Sequence, residues 1–494
     1  MNYERCILSM VAALVAATTA LGQWSFTVDT TFRVPLVAQN VNDLLLNEDG
    51  TLIASGRMTV EGQWPPTVQY PILRFDSDGL IDNMFQIQAG GGKLTTWQDR
   101  FYVSTGAYPL RVLSDGYIDP SFISLNLGPY FYALQGGDYH VFPDGRVLIS
   151  GNHLLSDSVR GFEGLYQLVW FTNTGYLDTT RIHRSSGNCA VYQFKELPSG
   201  QFIVNGICDQ FDGQPVDRVF RVQADGSVDT SFHTDVYTGL TADYLPLNDG
   251  RVYVAGNFRR SQTPEDTLHL VRFSPTGALD PTFVPPQFQM ATLPEVLGAA
   301  VISVQPWLDG SLLVTGKFER VNGEPRRGIC LLDTNGTLLP AFHDQGVSPY
   351  YYTDAGEDLY RAAVHAVAYD STNAHLYIAG AYSGYTDATG HYPDQRFITR
   401  LKVSELSTAV SEAPQQPRAL QLYPNPSTGP ITVAIEQPPD HGDLLLRDAL
   451  GRVVNRQRIT AYHTSLTLDH TGVYSVELVR DGRTVETQRL IVHP

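Results

Sequence analysis

The sequence predicts an all-β fold of tandem repeats followed by a smaller β unit, on three observations. First, three or four strand-forming residues, one small residue and a glycine recur seven times, at 52–56, 101–106 (one residue longer), 147–151, 202–206, 252–256, 312–316 and 376–380. The glycines are spaced 50, 45, 55, 50, 60 and 64 residues apart, and self-similarity at such a period marks a repeat architecture. Second, each phrase sits among glycine turns that divide its repeat into four short strands, the pattern of a propeller blade. Third, a chain of 494 residues exceeds one compact core, and its character changes near residue 404.

Composition agrees. Hydrophobic residues are 43% and charged residues 17%, with many Tyr and Gly, a β-rich globular balance. The net charge of −17 comes without any basic run, which disfavours nucleic acid as a partner. Met1 to Cys6 is short and carries Arg5, Ile7 to Leu21 is apolar, and Ala20-Leu21-Gly22 fits a cleavage site. Residues 1–22 therefore read as a secretory signal peptide, with Gln23 first in the mature chain and no transmembrane segment left after cleavage.

Within a repeat, the strand before the glycine phrase ends in a hairpin turn: Asp49-Gly50, Asp144-Gly145, Ser199-Gly200, Asp249-Gly250 or Asp309-Gly310. Glycine supplies the positive φ that a two-residue loop needs. A third strand follows, such as Leu270-Val271-Arg272-Phe273, then a second glycine turn. The unit closes on an aliphatic-Asp-x-x-Phe strand: Ile81 to Phe85, Ile118 to Phe122, Val228 to Phe232 and Leu279 to Phe283. In copy three Arg181 replaces the Phe, and in copy six Leu339 replaces the Asp. An aspartate recurring in nearly every unit suits a structural task, binding turn amides, and the Phe suits packing between units.

The seventh repeat stops at Leu401-Lys402-Val403 without its closing strand, and the missing piece stands at the other end of the chain as Val28-Asp29-Thr30-Thr31-Phe32. An N-terminal strand completing the last blade removes the open edges. The expectation is a seven-bladed β-propeller over 23–408, closed by the N-terminal strand. An open array of hairpins is the alternative, and it leaves edges unpaired. Each glycine is expected to mark where its strand leaves the sheet for an elaborated face.

Gly-Asn-Phe at 256–258 or Gly-Lys-Phe at 316–318, then Arg-Phe, a turn glycine and Leu-Asp-x-x-Phe, resembles the delta-60 repeat family of bacterial β-propellers. Ser404 to Ala419 is rich in Ser, Thr, Glu and Gln with Pro414 and Pro417, and 409–419 reads as a linker. From Leu420 alternating strands return, as in Ile431-Thr432-Val433-Ala434-Ile435, and residues 420–494 read as a small Ig-like β-sandwich. Tyr423, Pro424, Asn425, Pro426 and Gly429, then Gly451-Arg452 and Gly472-Val473-Tyr474, resemble the type A C-terminal sorting domain of the type IX secretion system. The resemblance implies export, recognition by the type IX secretion machinery, and a secreted or outer-membrane surface location in a Gram-negative bacterium.

Three cysteines remain after cleavage. Cys189 and Cys208 flank the turn at Pro198-Ser199 symmetrically, so a hairpin there sets them opposite each other at disulfide distance. Two unpaired buried thiols are the alternative. Cys330 reads as a free core residue, and three scattered cysteines have no zinc spacing.

No His-Glu-x-x-His, Gly-x-Ser-x-Gly or Walker loop is present, and no catalytic, metal or cofactor residue is assigned. His140, His365 and His375 read as structural. The Asp76-Ser77-Asp78-Gly79 stretch reads as a turn, because a calcium loop needs a glutamate where Ile87 stands. Long loops on a rigid scaffold are where binding usually sits. They carry Trp64, Tyr130, Tyr132, Tyr350, Tyr351, Tyr352, Tyr385 and Tyr392. Rings beside polar groups suit glycan or peptide ligands, while the plainer reading has them packing loops onto the scaffold. The expectation is an exported, non-enzymatic binding or adhesion scaffold for a glycan, peptide or protein. An extracellular hydrolase or lyase is the alternative, since fold alone does not decide function. A carboxylate pair, or a histidine with a carboxylate, in the central channel would favour the enzyme.

Overall fold

The computed structural model describes residues 23–63, 68–85, 89–126, 130–186, 189–290, 298–354, 357–406, 420–435, 442–448, 451–468, 470–480 and 483–493. The signal peptide, the linker and Trp64 lie outside these residues. Two compact units divide between Leu406 and Ser407. Among the described residues there is no α-helix, only a single 3-10 turn at Ser124–Asn126.

The first unit is a succession of antiparallel meanders. The first sheet contains Leu36–Leu46, Leu52–Val60 and Tyr70–Phe75; the second, Leu94–Trp97, Arg100–Ser104 and Pro109–Leu113; the third, Phe131–Val141, Val147–Asp157 and Phe162–Phe171. The fourth contains Ala190–Glu196, Phe202–Ile207 and Val219–Val222; the fifth, Val236–Pro246, Val252–Arg260 and Thr263–Phe273; the sixth, Ala300–Pro306, Leu312–Lys317 and Ile329–Leu332. The seventh contains Ala363–Asp370, His375–Thr386 and His391–Leu406, with Gln23–Val28 as an added outer strand. Apolar clusters fill the spaces between consecutive sheets. Leu44, Ala54 and Phe75 of the first sheet share one cluster with Ala366, Tyr377 and Ile398 of the seventh.

The N-terminal strand completes the seventh sheet, ending at Val28 where the sequence suggested it would begin. Gln23 to Val28 pair antiparallel with Leu406 to Leu401. Asp29 to Phe32 form a turn instead, in which the Phe32 amide donates to the Asp29 carbonyl at 3.2 Å. The same correction applies in the other repeats. The aliphatic residue of each closing phrase makes one isolated bridge, as in Phe75–Ile81, Val222–Val228 and Phe273–Leu279. The chain then turns, because the aspartate takes the amide two residues on: Asp280 Oδ1 accepts from Thr282 at 2.9 Å, and Asp229 Oδ1 from Ser231 at 3.0 Å.

The hairpin turns are longer than two residues. The Gly50 amide donates to the Asn47 carbonyl at 3.0 Å, and the Asn47 amide donates to the Thr51 carbonyl at 2.9 Å. Gly50 has φ +82°, so the positive-φ reason for glycine stands while the loop size does not.

An arginine that the sequence reading passed over joins one sheet to the next. It occupies the third strand, beside the aspartate. Arg272 Nε donates to Asp280 at 2.7 Å, Nη1 reaches the Thr334 carbonyl in the sixth sheet's turn at 2.6 Å, and the guanidinium lies 5.5 Å from the Phe283 ring centre. Arg74, Arg111, Arg221 and Arg400 repeat the arrangement, reaching the carbonyls of Ser114, Asn173, Pro275 and Ser77. In the third sheet Trp170 stands at the arginine position, and Arg184 makes the crossing instead, donating to the Asp225 carbonyl at 3.1 Å and its carboxylate at 3.0 Å. The sixth sheet has Leu331 there and makes no such crossing among the described residues.

Cys189 and Cys208 are joined as a disulfide, with Cα atoms 4.6 Å apart, one step beyond the Ala190–Ile207 strand pair. Cys330 is free and buried. Closing a loop of this size restricts the unfolded chain by about 3 kcal/mol. Replacing both cysteines by serine is expected to lower unfolding free energy by about that amount, read from urea denaturation. A midpoint equal to the oxidised wild type would show that the bond adds nothing.

The second unit has two antiparallel sheets. One orders Leu420–Tyr423, Ile431–Ile435 and His463–Leu466; the other orders Val453–Arg458, Gly442–Arg447, Gly472–Arg480 and Arg483–Val492. Leu420, Ile431 and Leu466 of the first meet Leu444, Val476 and Leu490 of the second in one core.

Candidate functional site

The recurring glycines place a polar channel. In four copies they do not mark strand exits, since the phrase strands run on to Val60, Asp157, Arg260 and Thr386; in copies four and six the strand ends one residue past the glycine, at Ile207 and Lys317. Each glycine instead faces a β-bulge in the first strand of its sheet. The register shifts between Val41 and Asp43 opposite Gly56 and Ser55, and likewise between Thr241 and Asp243, Val301 and Ser303, and Val364 and Ala366. A Cβ on Gly316 would fall 2.2 Å from the Ala300 carbonyl oxygen, and one on Gly56 would fall 2.3 Å from that of Asn40. Only glycine admits this approach. Copy two differs: a Cβ on Gly106 would meet nothing, and the close approach within the sheet falls at Gly92, where a Cβ would lie 2.8 Å from that of Ser104.

The bulges of six sheets each bring a residue to one cavity of about 540 Å³, and the second sheet adds one without a bulge. The positions that follow the bulge are occupied by Asp43, Asp138, Gln193, Asp243, Ser303 and Ala366, with Lys93 at the matching place in the second sheet; Lys195 and His365 join them. The sequence reading missed this set because the seven side chains share a position and no chemistry.

Most of these groups tie neighbouring sheets together. Asp43 Oδ1 accepts from the Leu44 amide at 2.8 Å, and Oδ2 from the Leu94 amide of the next sheet at 2.7 Å. Asp243 accepts from Tyr244 at 2.8 Å and from the Ser303 hydroxyl and Val304 amide, both at 3.1 Å. Lys93 Nζ pairs with Asp138 at 2.8 Å and donates to the Tyr139 carbonyl at 2.9 Å. His365 Nδ1 lies 2.9 Å from the Val41 carbonyl.

Burial pushes the Asp43 carboxyl up to about 6 despite the Leu94 and Leu44 amides and Lys93; the Asp243 charge adds to the rise. Burial also raises Asp243 and lowers His365, so the histidine is neutral at pH 7. Asp29 moves the other way. Burial opposes its ionisation, yet Thr31, Lys402 and Arg400 outweigh that and hold it at about 2.

These two shifts predict opposite pH effects. Folded Asp43 keeps its proton to about 6 where its ordinary value is 3.8, so its contribution declines as pH rises from about 4 through about 6. Folded Asp29 ionises at about 2 against 3.8, so its contribution is complete above about 4 and is lost as pH falls through about 2. The urea midpoint should therefore fall on both sides of about pH 4. Asp43→Asn should shrink the decline on the alkaline side and leave the part that Asp243 contributes; a decline undiminished in that variant would assign it elsewhere.

The aromatic positions scatter. Tyr130 and Tyr132 are exposed, Tyr132 at 64%, and Tyr351 is exposed at 70%. Tyr350 packs 5.1 Å from Phe397. Tyr385 is fully buried in the cluster beside Phe342 and Tyr382, which removes it from any ligand surface, and Tyr392 packs against the same cluster. The Tyr352 side chain lies outside the described residues. Further apolar side chains missed in the sequence are exposed nearby: Leu134, Leu154, Ile207, Tyr237 and Leu240. No group of three or more His, Cys, Asp or Glu side chains able to hold a metal occurs among the described residues.

In the second unit the motif residues serve the fold. Asn425 Nδ2 donates to the Arg489 carbonyl at 2.6 Å, and its Oδ1 accepts from the Ile491 amide at 3.0 Å, stitching the opening turn to the last strand. Arg452 Nε donates to Asp448 at 2.8 Å beside Gly451, whose φ is +78°. Tyr474 donates to the His470 carbonyl at 2.9 Å.

The repeats and the tail each match a family model. Residues 197–232, 247–283 and 308–342 match the domain of unknown function DUF5122, a beta-propeller, so the first unit carries repeats of that kind. Residues 421–493 match the secretion system C-terminal sorting domain. That tail indicates secretion or display at the outer-membrane surface and implies the type IX secretion machinery as a partner. No helix among the described residues is long and apolar enough to cross a membrane. No curated protein matches the chain in sequence.

Among solved structures, the chain is similar to PorZ, a surface component of the type-IX secretion system of Porphyromonas gingivalis, at 15% identity and TM-score 0.34, covering 92% of this chain and 66% of that one. It is also similar to the extracellular domain of a putative one-component system from B. thetaiotaomicron, at 11% identity and TM-score 0.40, covering 96% and 58%. A gluconolactonase from Xanthomonas campestris matches at 12% identity and TM-score 0.32, covering 77% and 95%. The chain thus spans less than two thirds of the length of the first two.

Proposed function

We propose that the protein is an exported, non-enzymatic binding scaffold. Its seven blades over residues 23–408 form a ring closed by the N-terminal strand, and a linker at 409–419 leads to an Ig-like sorting domain at 420–494. The ligand is a glycan or peptide that lies across the loop face of the third to fifth sheets. The observation that carries this reading is the set of exposed apolar side chains at one end of those sheets. Tyr132, Leu134 and Tyr237 lie where first strands begin, and Leu154 and Ile207 where second strands end. Those strand ends share a face in an up-and-down meander, and rings and aliphatic groups there suit the apolar faces of sugars or side chains.

Asp43, raised to about 6 in the channel, favours the hydrolase or lyase as a second reading. Against it, both Asp43 oxygens already accept backbone amides. A glycan and peptide array probed with the mature chain tests both. Tyr132→Ala with Tyr237→Ala should weaken binding at least about tenfold. Unchanged binding would remove the proposed face, and ligand cleavage abolished by Asp43→Asn would replace binding with catalysis.

A further inference from the structure

The second sheet lacks a part that the fourth and sixth sheets carry, and a cavity stands in its place. In the fourth and sixth, the chain between second and third strands makes a small hairpin. One pairs Gln210–Phe211 with Gln214–Pro215, the other Arg320–Val321 with Glu324–Pro325. Both tips have positive φ at two successive residues, Asp212-Gly213 and Asn322-Gly323, the conformation of a tight I′ turn. Each hairpin sinks one fully buried apolar side chain into the seam with the preceding sheet. Phe211 joins the cluster of Leu168 and Trp170, and Val321 joins that of Leu270. The segment leading into the sheet grips the hairpin. The Ser186 hydroxyl donates to the Gln210 carbonyl, and Arg184 Nη1 donates to Asp212 at 2.8 Å. In the sixth sheet the Glu319 and Asn322 amides donate to the Gln289 and Gln287 carbonyls, both at 2.8 Å.

In the second sheet the chain turns back at once. The Thr105 amide donates to the Tyr108 carbonyl at 3.0 Å, so no hairpin fits between the strands. The segment leading in is Gly90-Gly91-Gly92, which carries no side chain to fill the space. What remains is a cavity of about 580 Å³ between the first and second sheets, lined by Arg57, Gln69, Tyr70, Gly90, Gly91 and Gly106, among others. That volume is in the range of ligand pockets, about 300–1,000 Å³. Arg57 is exposed, and its one hydrogen bond among the described residues is from Nε to Gln69 at 3.4 Å. Both of its terminal nitrogens are therefore open to an anion. The Gly90 and Gly91 amides have no acceptor among the described residues. Amides of a folded chain are nearly always paired, so this stretch offers main-chain donors to a partner.

We propose that this notch binds an acidic turn peptide of a partner protein, in which a bulky apolar residue precedes Asp-Gly or Asn-Gly. The turn lies where the fourth and sixth sheets hold their own. Its backbone runs along Gly90 and Gly91, where the missing side chains allow close approach. Its apolar side chain packs against Tyr70 and Pro71, which also line the cavity. Its carboxylate meets Arg57, as Asp212 meets Arg184 in the fourth sheet. The site is separate from the exposed apolar side chains of the third to fifth sheets.

The probe is a fluorescein-labelled peptide with the sequence Asp-Gln-Phe-Asp-Gly-Gln-Pro-Val, that of residues 209–216. It is titrated with the whole chain from Gln23 onward and read by fluorescence anisotropy. Binding should be saturable, and a peptide with alanine in place of its phenylalanine should bind about tenfold more weakly. Arg57→Glu should weaken binding of the first peptide at least about tenfold and remove most of its salt dependence. Gln69→Trp changes an exposed side chain and fills the notch, so it should abolish binding. Tyr132→Ala with Tyr237→Ala should leave binding unchanged. Absence of saturable binding to the wild type, equal affinity for the alanine peptide, or binding unchanged in Arg57→Glu and Gln69→Trp would overturn the proposal. Loss of binding in the tyrosine variant would overturn it too, by placing the peptide on the other face.

Discussion

Deleting residues 23–34 is expected to abolish the folded first unit. The strand Gln23–Val28 supplies the outer edge of the seventh sheet. The segment buries Phe26, Val28, Phe32 and Val34, each less than a tenth exposed. At about 2 kcal/mol per buried side chain, the apolar loss alone is about 8 kcal/mol, comparable with the whole stability of a typical domain, about 5–15 kcal/mol. The electrostatic loss adds to it. Arg400 would lose Asp29, its partner at 2.7 Å, and a buried charge left unpaired is strongly destabilising. The strand His391–Leu406 would also become an open edge that invites aggregation. Size exclusion and circular dichroism should show aggregate or loss of the cooperative transition. A synthetic peptide of residues 23–34 should restore the monomer. A monodisperse deletion variant melting at the wild-type temperature would show that the first unit does not depend on its N-terminal strand.

Arg272→Ala is expected to lower the unfolding free energy by about 3 kcal/mol, the low end for breaking a buried pair from one side. Arg272 bonds Asp280, Thr282, the Tyr253 hydroxyl and the Thr334 carbonyl. Alanine leaves the Asp280 carboxylate in place, with Arg251 at 3.0 Å as its remaining cation, which keeps the loss from being larger. Arg272→Lys should recover only part of it, because an ammonium cannot make the forked contact with a carboxylate and a carbonyl at once. Urea denaturation reads the result, and a loss below about 1 kcal/mol would mark the crossing as an ordinary surface pair.

The same arginine shows how far the sequence could be read. It stands in the phrase Leu270-Val271-Arg272-Phe273, and the aspartate that binds it was singled out eight residues later. Their pairing is not legible there, because the closing phrase reads as a strand. A turn bends Asp280 back alongside the third strand, and only that bend brings the groups together. The two degenerate copies follow from the same geometry. In copy three Arg184 makes the crossing beside Trp170. In copy six the next sheet offers no turn carbonyl, so Leu331 and Leu339 face an apolar seam.

Tyr385 marks the opposite limit. It lies in a stretch with Ser, Gly, Thr and Asp, which reads as a polar loop. The strand His375–Thr386 runs through it and turns the ring into the core. Local composition does not reveal how far a strand extends beyond its apolar phrase.

The sequence by itself determined the repeat, the all-β class, the sorting tail and the opposition of Cys189 to Cys208. Each of these depends on local spacing: a glycine at a fixed phase, a turn between two strands, a motif in order. What the glycines are for was decided only by the tertiary structure. All but Gly106 admit a bulge from the neighbouring strand, and the bulge turns the following residue towards a shared cavity. Asp43, Lys93, Asp138 and Asp243 thereby become neighbours across gaps of 45 residues or more. No local rule links side chains of different chemistry at that distance, and only the packing of successive sheets around one cavity brings them together.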